Sequence, residues 1–347
     1  MSDLVRIAVS LLPVFAFLGG LVLMDSFKLV RARALVEAIV AGCAVAVACF
    51  FINRWLLGLF PPGSPAYSRY VAPAIEETLK AAFVAHLVLR RRVGFLVDAA
   101  VLGFAVGAGF AFVENIHYLR ALEGSSPLVW VLRGLGTAVM HGGTTAAFAV
   151  LAQGLAERRP ARSGASAASR ALGLAAVFLP GLAVAYAVHS LFNHFFLPPV
   201  ANTVAQLAAL PAILAVIFNR SERALRDWLE VGLDTDVRLL EDIATGSISA
   251  TRPGQYLESL RSRFPGEVVA DMLCLLRTHL ELAARAKGIL LMRQAGFQVE
   301  VDPGIDERLA ELRFLQKSIG ATGRLALAPI LHSTGRDIWQ LRVVGKG

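Results

Sequence analysis

Ala72-Pro73-Ala74-Ile75-Glu76-Glu77-Thr78-Leu79-Lys80 sets two adjacent carboxylates and an ammonium inside a long apolar run. Ionised side chains in such a run are costly and are kept mostly for function. Pro73 suits the first turn of a helix, where its missing N–H is not needed. On that helix Glu76 and Lys80 are four apart and Glu77 and Lys80 three apart, so either carboxylate can reach the ammonium. What else in the chain can gather round Glu76 and Glu77 decides both the fold and the chemistry.

Of the 347 residues, 56% are hydrophobic and 17% charged, which is the balance of a helical membrane protein. The apolar runs predict an all-α, polytopic membrane helix bundle over residues 1–220, followed by a soluble helical domain over 221–347. About seven spans are expected, near 5–24, 34–53, 70–89, 95–119, 131–155, 172–197 and 200–219. Each is long enough for a ~30 Å hydrocarbon core. Lys28, Arg31 and Arg33 follow the first span, Arg90, Arg91 and Arg92 the third, Arg158, Arg159, Arg162 and Arg170 the fifth, and Arg220 and Arg223 the seventh. The alternate loops hold mainly Arg54, Arg69 and Arg120. By the positive-inside rule the N-terminus is external and the C-terminal tail cytoplasmic, as for a multi-pass protein of the cell inner membrane.

The net charge of +8 has the same origin, since residues 1–220 carry 17 Lys and Arg against 9 Asp and Glu, and the tail carries 17 of each. It therefore gives no ground for a nucleic-acid partner. Met1–Met24 reads as a retained first span, because its apolar run exceeds a signal peptide's and no small-x-small cleavage site follows. Cys43, Cys49 and Cys274 have no metal-ligand spacing and read as packing residues.

Other polar groups recur inside the spans. Glu37 reads as a snorkelling carboxylate at a span end, and Pro61-Pro62-Gly63-Ser64-Pro65 as an external turn. The fourth span has Phe110-Ala111-Phe112-Val113-Glu114-Asn115, preceded by Gly103, Gly107 and Gly109 at spacings that let helices approach closely. The fifth carries His141, then Gly142-Gly143-Thr144-Thr145; the sixth ends His189-Ser190-Leu191-Phe192-Asn193-His194, with His189 and Asn193 on one face. Glu76 lies six residues in from Tyr70, Glu114 six before Arg120, His141 eight past Arg133 and His189 eight before Leu197. At the helical rise all four sit roughly 9–12 Å below the external surface. Their spans alternate in direction, yet the polar groups come out level.

Carboxylates and histidines in an apolar shell can activate water, through a Glu of raised pKa and an oxyanion donor, or can ligate a divalent metal. Both lead to hydrolysis of a peptide bond in a membrane-embedded protein. There is no His-Glu-x-x-His or Gly-x-Ser-x-Gly motif, and Glu114/His117 is the sole Glu-x-x-His pair, whereas a di-iron bundle needs two. An inactive membrane scaffold and a proton- or ion-coupled transporter are the alternatives, the latter weakened by the lack of a repeated motif in a second half.

Glu76-Glu77-Thr78-Leu79-Lys80 resembles the Glu-Glu-x-x-Lys motif of the PrsW intramembrane proteases. Phe110-x-x-x-Glu114-Asn115 resembles their second motif, and His141, and His189 with its partner four residues on, the third and fourth. The resemblance covers residues 72–194 and implies a polytopic endopeptidase of the superfamily that includes CAAX prenyl proteases and Abi proteins. It implies cleavage of membrane-tethered regulators such as an anti-sigma factor. The CAAX branch has Glu-Glu-x-x-x-Arg and Phe-x-x-x-His, so Lys80 and Glu114 are similar to the PrsW branch. Asn193 stands where an Asp is often found. PrsW proteins are described as metalloproteases and CAAX proteases as metal-independent. The cofactor expected is therefore a divalent metal such as zinc, with Glu77, Glu114, His141 and His189 as ligands, or none.

The roles expected are these. Glu77 or Glu76 is the water-activating base and the other tunes or orients it. His189 and Asn193 bind or polarise water or the oxyanion. Glu114, Asn115 and His141 complete the pocket, and Lys80 is a structural counter-ion. In the tail, Trp228–Asp242, Gly266–Gln294, capped by Gly296, and Glu307–Ser318 read as helices. His279 and His332 stand alone there. The expected partners are a membrane-embedded protein substrate, the lipid bilayer and an unidentified cytoplasmic partner of the tail.

Overall fold

The computed structural model describes residues 3–61, 64–122, 124–158, 166–297, 299, 304–331 and 339–341. Pro62 and Gly63 of the proline turn, Arg159, Arg162 and His332 lie outside the described residues. Among those described there is no strand, and the chain forms two compact units, Met1–Glu222 and Arg223–Gly347.

The first unit contains α1 (Asp3–Met24), α2 (Ala32–Leu57), α3 (Ala72–Leu89), α4 (Leu96–Ala121), the short α5 (Pro127–Val131), α6 (Ala138–Glu157), α7 (Ala167–His194) and the start of α8 (Pro199–Ala244). Five-residue and six-residue π-helical turns, Tyr67–Val71 and Leu132–Thr137, lead into α3 and α6. Among the described residues, six helices are long and apolar enough to cross a membrane by length and composition. The expected span at 70–89 does form a helix, but Glu76, Glu77 and Lys80 set it apart from those six. Glu77 and Lys80 are 1% and 0% exposed, so its charges face protein and not the bundle's surface.

A helix that is apolar all round belongs in a core, and α4 is that helix: every residue from Val97 to Ala111 is buried. α2 and α6 pack on it along glycine contacts. A Cβ on Gly42 of α2 would collide with the Val106 carbonyl of α4, and one on Gly107 of α4 with the His141 carbonyl of α6. Small residues let the backbones meet, as in membrane helix pairs generally. The N-terminus of α4 is held by Asp98, which accepts from the Gly94 and Phe95 amides, each at 2.7 Å. Outward faces of α1, α2, α7 and α8 carry Leu12, Leu23, Phe51, Leu172 and Val204, all more than half exposed, as suits contact with lipid. Glu37 pairs with Arg33 and Arg92 at a helix end.

In the turn between α1 and α2, Asp25 accepts from the Val30 amide at 3.1 Å. Burial pushes its carboxyl above the usual aspartate range, and the Val30, Leu29 and Phe27 amides and Lys28 pull it part of the way back.

The second unit comprises the end of α8, a 3₁₀ turn (Ser247–Ala250), α9 (Arg252–Leu260), α10 (Gly266–Gln294), α11 (Ile305–Ser318) and α12 (Gly320–Leu327). Met272, Leu276, Leu282, Ala286, Leu312 and Leu315 form its core. Gly296 ends α10 at φ 84°, the left-handed conformation a C-cap needs. The helix expected at Trp228–Asp242 is no separate element; it lies within the 46 residues of α8. Cys274, expected to pack, is exposed, whereas Cys49 is buried and Cys43 donates to the Gly109 carbonyl at 3.3 Å.

Candidate active site

Glu76, Glu77 and Lys80 of α3, Glu114 of α4, His141 and Thr144 of α6 and His189 of α7 meet in one cluster. Lys80 pairs with Glu77, three residues before it, and not with Glu76: the Nζ–Oε1 distance is 2.6 Å. The same Glu77 oxygen accepts from Thr144 Oγ at 3.2 Å and from His189 Nδ1 at 2.7 Å. A buried carboxylate needs such donors to stay ionised, and three of them leave Glu77 enclosed.

The arrangement sets both histidine tautomers. An ionised Glu77 only accepts, so His189 carries its proton on Nδ1 and presents the Nε2 lone pair. His141 Nδ1 lies 3.2 Å from the Lys80 ammonium, which only donates, so His141 carries its proton on Nε2 and gives it to Glu114 Oε2 at 3.1 Å. The Lys80 Nζ also lies over the Phe110 ring, 4.8 Å from its centroid, and Phe110 packs on His141. The two imidazoles meet edge to face, their centroids 4.9 Å apart.

Glu76, one residue from Glu77, points about 100° further round α3. Its side chain is 12% exposed, and its Oε2 faces His189 Nε2 across 3.9 Å. A carboxylate oxygen and a nitrogen lone pair are both acceptors, so that gap is chemically suited to a cation or a water. One ligand atom from each of Glu76, His141 and His189 lies within 4.8 Å of the others. Two histidines and a glutamate are a donor set that catalytic zinc sites use, and Glu77 behind His189 is the carboxylate partner that metal-ligating histidines commonly have. The residues present therefore fit a divalent metal in their chemistry, with His141 exchanging one of its present partners to offer a lone pair.

This grouping differs from the expected ligand set at two positions. Glu77 has its donor-facing oxygen filled by Lys80, Thr144 and His189, and Glu114 lies against Arg133, Nη2 to Oε2 being 3.2 Å. Glu114 remains the most open carboxylate of the cluster, its side chain 23% exposed. Asn115 is buried and faces away from Glu76 and Glu77: its amide donates to the Ser10 carbonyl of α1 at 2.8 Å and its Oδ1 accepts from Arg133 Nε at 3.0 Å. Asn193 is not in the cluster either. It donates to the Ser68 carbonyl at 2.9 Å; Ser190 Oγ donates to the Arg69 carbonyl at 2.7 Å, and His194, whose Nδ1 donates to the Ser190 carbonyl, accepts from the Tyr70 hydroxyl at Nε2 across 2.9 Å. These three bonds tie the end of α7 to the π-turn before α3. His117 packs edge-on against Phe50 and takes no part.

Sequence reading passed over Asn53, Tyr67, Arg133 and Thr144. Asn53 Nδ2 donates to Glu76 Oε1 at 3.3 Å, and Tyr67 donates to Asn53 Oδ1 at 2.7 Å. Arg133 contacts Glu114 and Asn115 and lies over the Tyr118 ring, 3.6 Å from its centroid. Thr144 was visible in the sequence beside His141; the other three sit at span ends, where polar residues are ordinary and carry no signal.

Comparison with known proteins agrees with the geometry. A search of curated proteins and a search of solved structures each return no match. The family described as PrsW family intramembrane metalloprotease matches residues 30–218, more than half of the chain and the whole of the cluster. A multi-pass helical bundle with two histidines and three glutamates gathered inside it is in keeping with that description, and the chain belongs to the PrsW family of intramembrane metalloproteases.

Proposed function

We propose that the protein hydrolyses a peptide bond near one end of a membrane-embedded segment of another protein, with Glu76, His141 and His189 as the residues that would hold a divalent metal. The observation that carries this reading is the 3.9 Å gap between two acceptors, Glu76 Oε2 and His189 Nε2. A cation there satisfies both. Such an ion supplies Lewis acidity toward a carbonyl and acidifies water.

The chain's own groups do the rest. Glu77 holds His189 in the tautomer whose lone pair faces the gap, and Lys80 neutralises Glu77 so that the pair can stay buried. Glu114, the open carboxylate, accepts the proton of the attacking water and passes it to the leaving amine. Arg133 holds Glu114 in place against His141. Asn193, the residue expected to touch the oxyanion, is assigned to holding α7 instead.

The charge pattern of the loops supports an external N-terminus and a cytoplasmic second unit in the inner membrane, with α3 crossing as an interior helix. On that orientation the cluster lies near the external ends of the helices. The substrates that fit are single-span membrane proteins, including tethered regulators of the anti-sigma-factor kind.

The test compares membrane-proteome N-termini in cells carrying the native protein and cells carrying Glu114→Gln, under envelope stress. New termini near the external ends of transmembrane segments that vanish with the variant support the reading; equal profiles from equally inserted proteins refute it. Labelling of Cys274, which is exposed, by a membrane-impermeant thiol reagent in intact cells would overturn the orientation.

A further inference from the structure

Glu76 has one oxygen turned to the gap and the other, Oε1, turned to α2. We infer that Asn53 and Tyr67 form a relay that fixes the Glu76 carboxylate for metal binding, an inference that rests on the metal-centred reading above. Neither residue carries any of the motifs. Asn53 lies near the C-terminal end of α2, and Tyr67 opens the π-turn that precedes α3.

The order of donors fixes the geometry. Tyr67 is buried, at 5% exposed, and its hydroxyl donates to Asn53 Oδ1 at 2.7 Å. An ionised Glu76 only accepts, so the amide NH₂ group faces it and donates to Oε1 at 3.3 Å, which leaves Asn53 Oδ1 to accept from Tyr67. A carboxylate bonded through one oxygen presents the other in a defined direction, and here Oε2 faces His189 Nε2. Without the amide, the Glu76 carboxylate would be free to rotate about its side chain.

The π-turn accounts for the reach. Single π-turns recur at functional sites because they shift the register of the side chains that follow. Tyr67–Val71 sets Tyr67 against Asn53 while α3 continues with Glu76 toward α7. The hydroxyl also lies 3.3 Å from the Asn53 carbonyl, but its single proton goes to the nearer side-chain oxygen.

Groups that orient a metal ligand typically change metal affinity by roughly 10–100-fold when removed. The experiment measures zinc affinity of the full-length protein in nanodiscs by competition with a chromophoric chelator, together with kcat and KM on a membrane-embedded reporter peptide. Asn53→Ala weakens zinc binding within that range, and Asn53→Asp, which keeps the size but replaces the donor with an acceptor, weakens it at least as much. Tyr67→Phe acts in the same direction, and Tyr67→Phe with Asn53→Ala is no weaker than Asn53→Ala alone. In a Glu76→Gln background the Asn53 substitutions change nothing further. Unchanged affinity in Asn53→Ala and Asn53→Asp overturns the inference. If the native protein cleaves the reporter but binds no zinc, the metal reading falls. The relay then stands if Asn53→Ala lowers kcat at unchanged KM, and falls if kcat is unaltered. A native protein that neither binds zinc nor cleaves overturns both.

Discussion

Replacing Lys80 by methionine tests how the cluster is held together. The substitution keeps the length of the side chain and removes its charge. Glu77 Oε1 would lose its closest partner, at 2.6 Å, and keep His189 Nδ1 and Thr144 Oγ, at 2.7 and 3.2 Å. The glutamate is 1% exposed, so water cannot replace the ammonium. Breaking one side of a buried pair costs about 3–5 kcal/mol, which is about two to three and a half decades in the unfolding constant. Lys80→Met with Glu77→Gln removes the stranded charge while keeping an acceptor for His189 and Thr144, and should recover most of that loss. Recovery stays incomplete because the Lys80 contact with the Phe110 ring goes in both variants, up to about 2 kcal/mol for a desolvated cation–π pair. The assay is SDS-driven unfolding in bicelles, followed by tryptophan fluorescence. A loss below about 1 kcal/mol in the single variant, or a double variant no more stable than the single, refutes the buried-pair argument.

Gly107→Ala places a methyl group against the His141 carbonyl, a backbone atom that cannot swing aside, so a loss at or above the usual 1–3 kcal/mol, roughly, for overpacking is expected in the same unfolding assay. Arg133→Lys cannot reach Glu114 and Asn115 and cover Tyr118 at once; kcat on a reporter peptide should fall roughly 10-fold or more with KM little changed, and Arg133→Gln should fall further. Burial holds the folded-state pKa of Asp25 above the ordinary aspartate value, so its contribution to stability is complete below that ordinary value and is lost as pH rises through the folded-state pKa. Asp25→Asn should therefore gain on the native protein at neutral pH and lose the advantage near pH 4, read from unfolding midpoints across pH.

The helices and the membership of the cluster were legible because both are local properties of sequence. Apolar length marks the spans, and charged residues within them are rare enough to stand out, which is why Glu76, Glu77, Glu114, His141 and His189 could be picked without a structure. The division of labour between Glu76 and Glu77 was not legible, since adjacent residues on a helix face different neighbours and the neighbours come from α2, α6 and α7. Spacing was misleading for Asn193. Four residues from His189 it shares a face, but it lies ~6 Å along the axis, level with the Ser68 carbonyl rather than with Glu77. Asn53 and Arg133 were out of reach because a polar residue at a span end is common, and only the fold shows which one touches a carboxylate.

The backbone contacts at Gly42 and Gly107 set limits on motion. Where main chains touch, one helix cannot roll or slide past another without a collision, so α2, α4 and α6 act as a single rigid frame. The C-terminal end of α7 is joined to the turn before α3 by side-chain hydrogen bonds, Ser190 and Asn193 donating to backbone carbonyls and His194 accepting from Tyr70. Parting the bundle along that seam would separate His189 of α7 from Glu76 and Glu77 of α3, while the frame behind it would keep Glu114 and His141 in register.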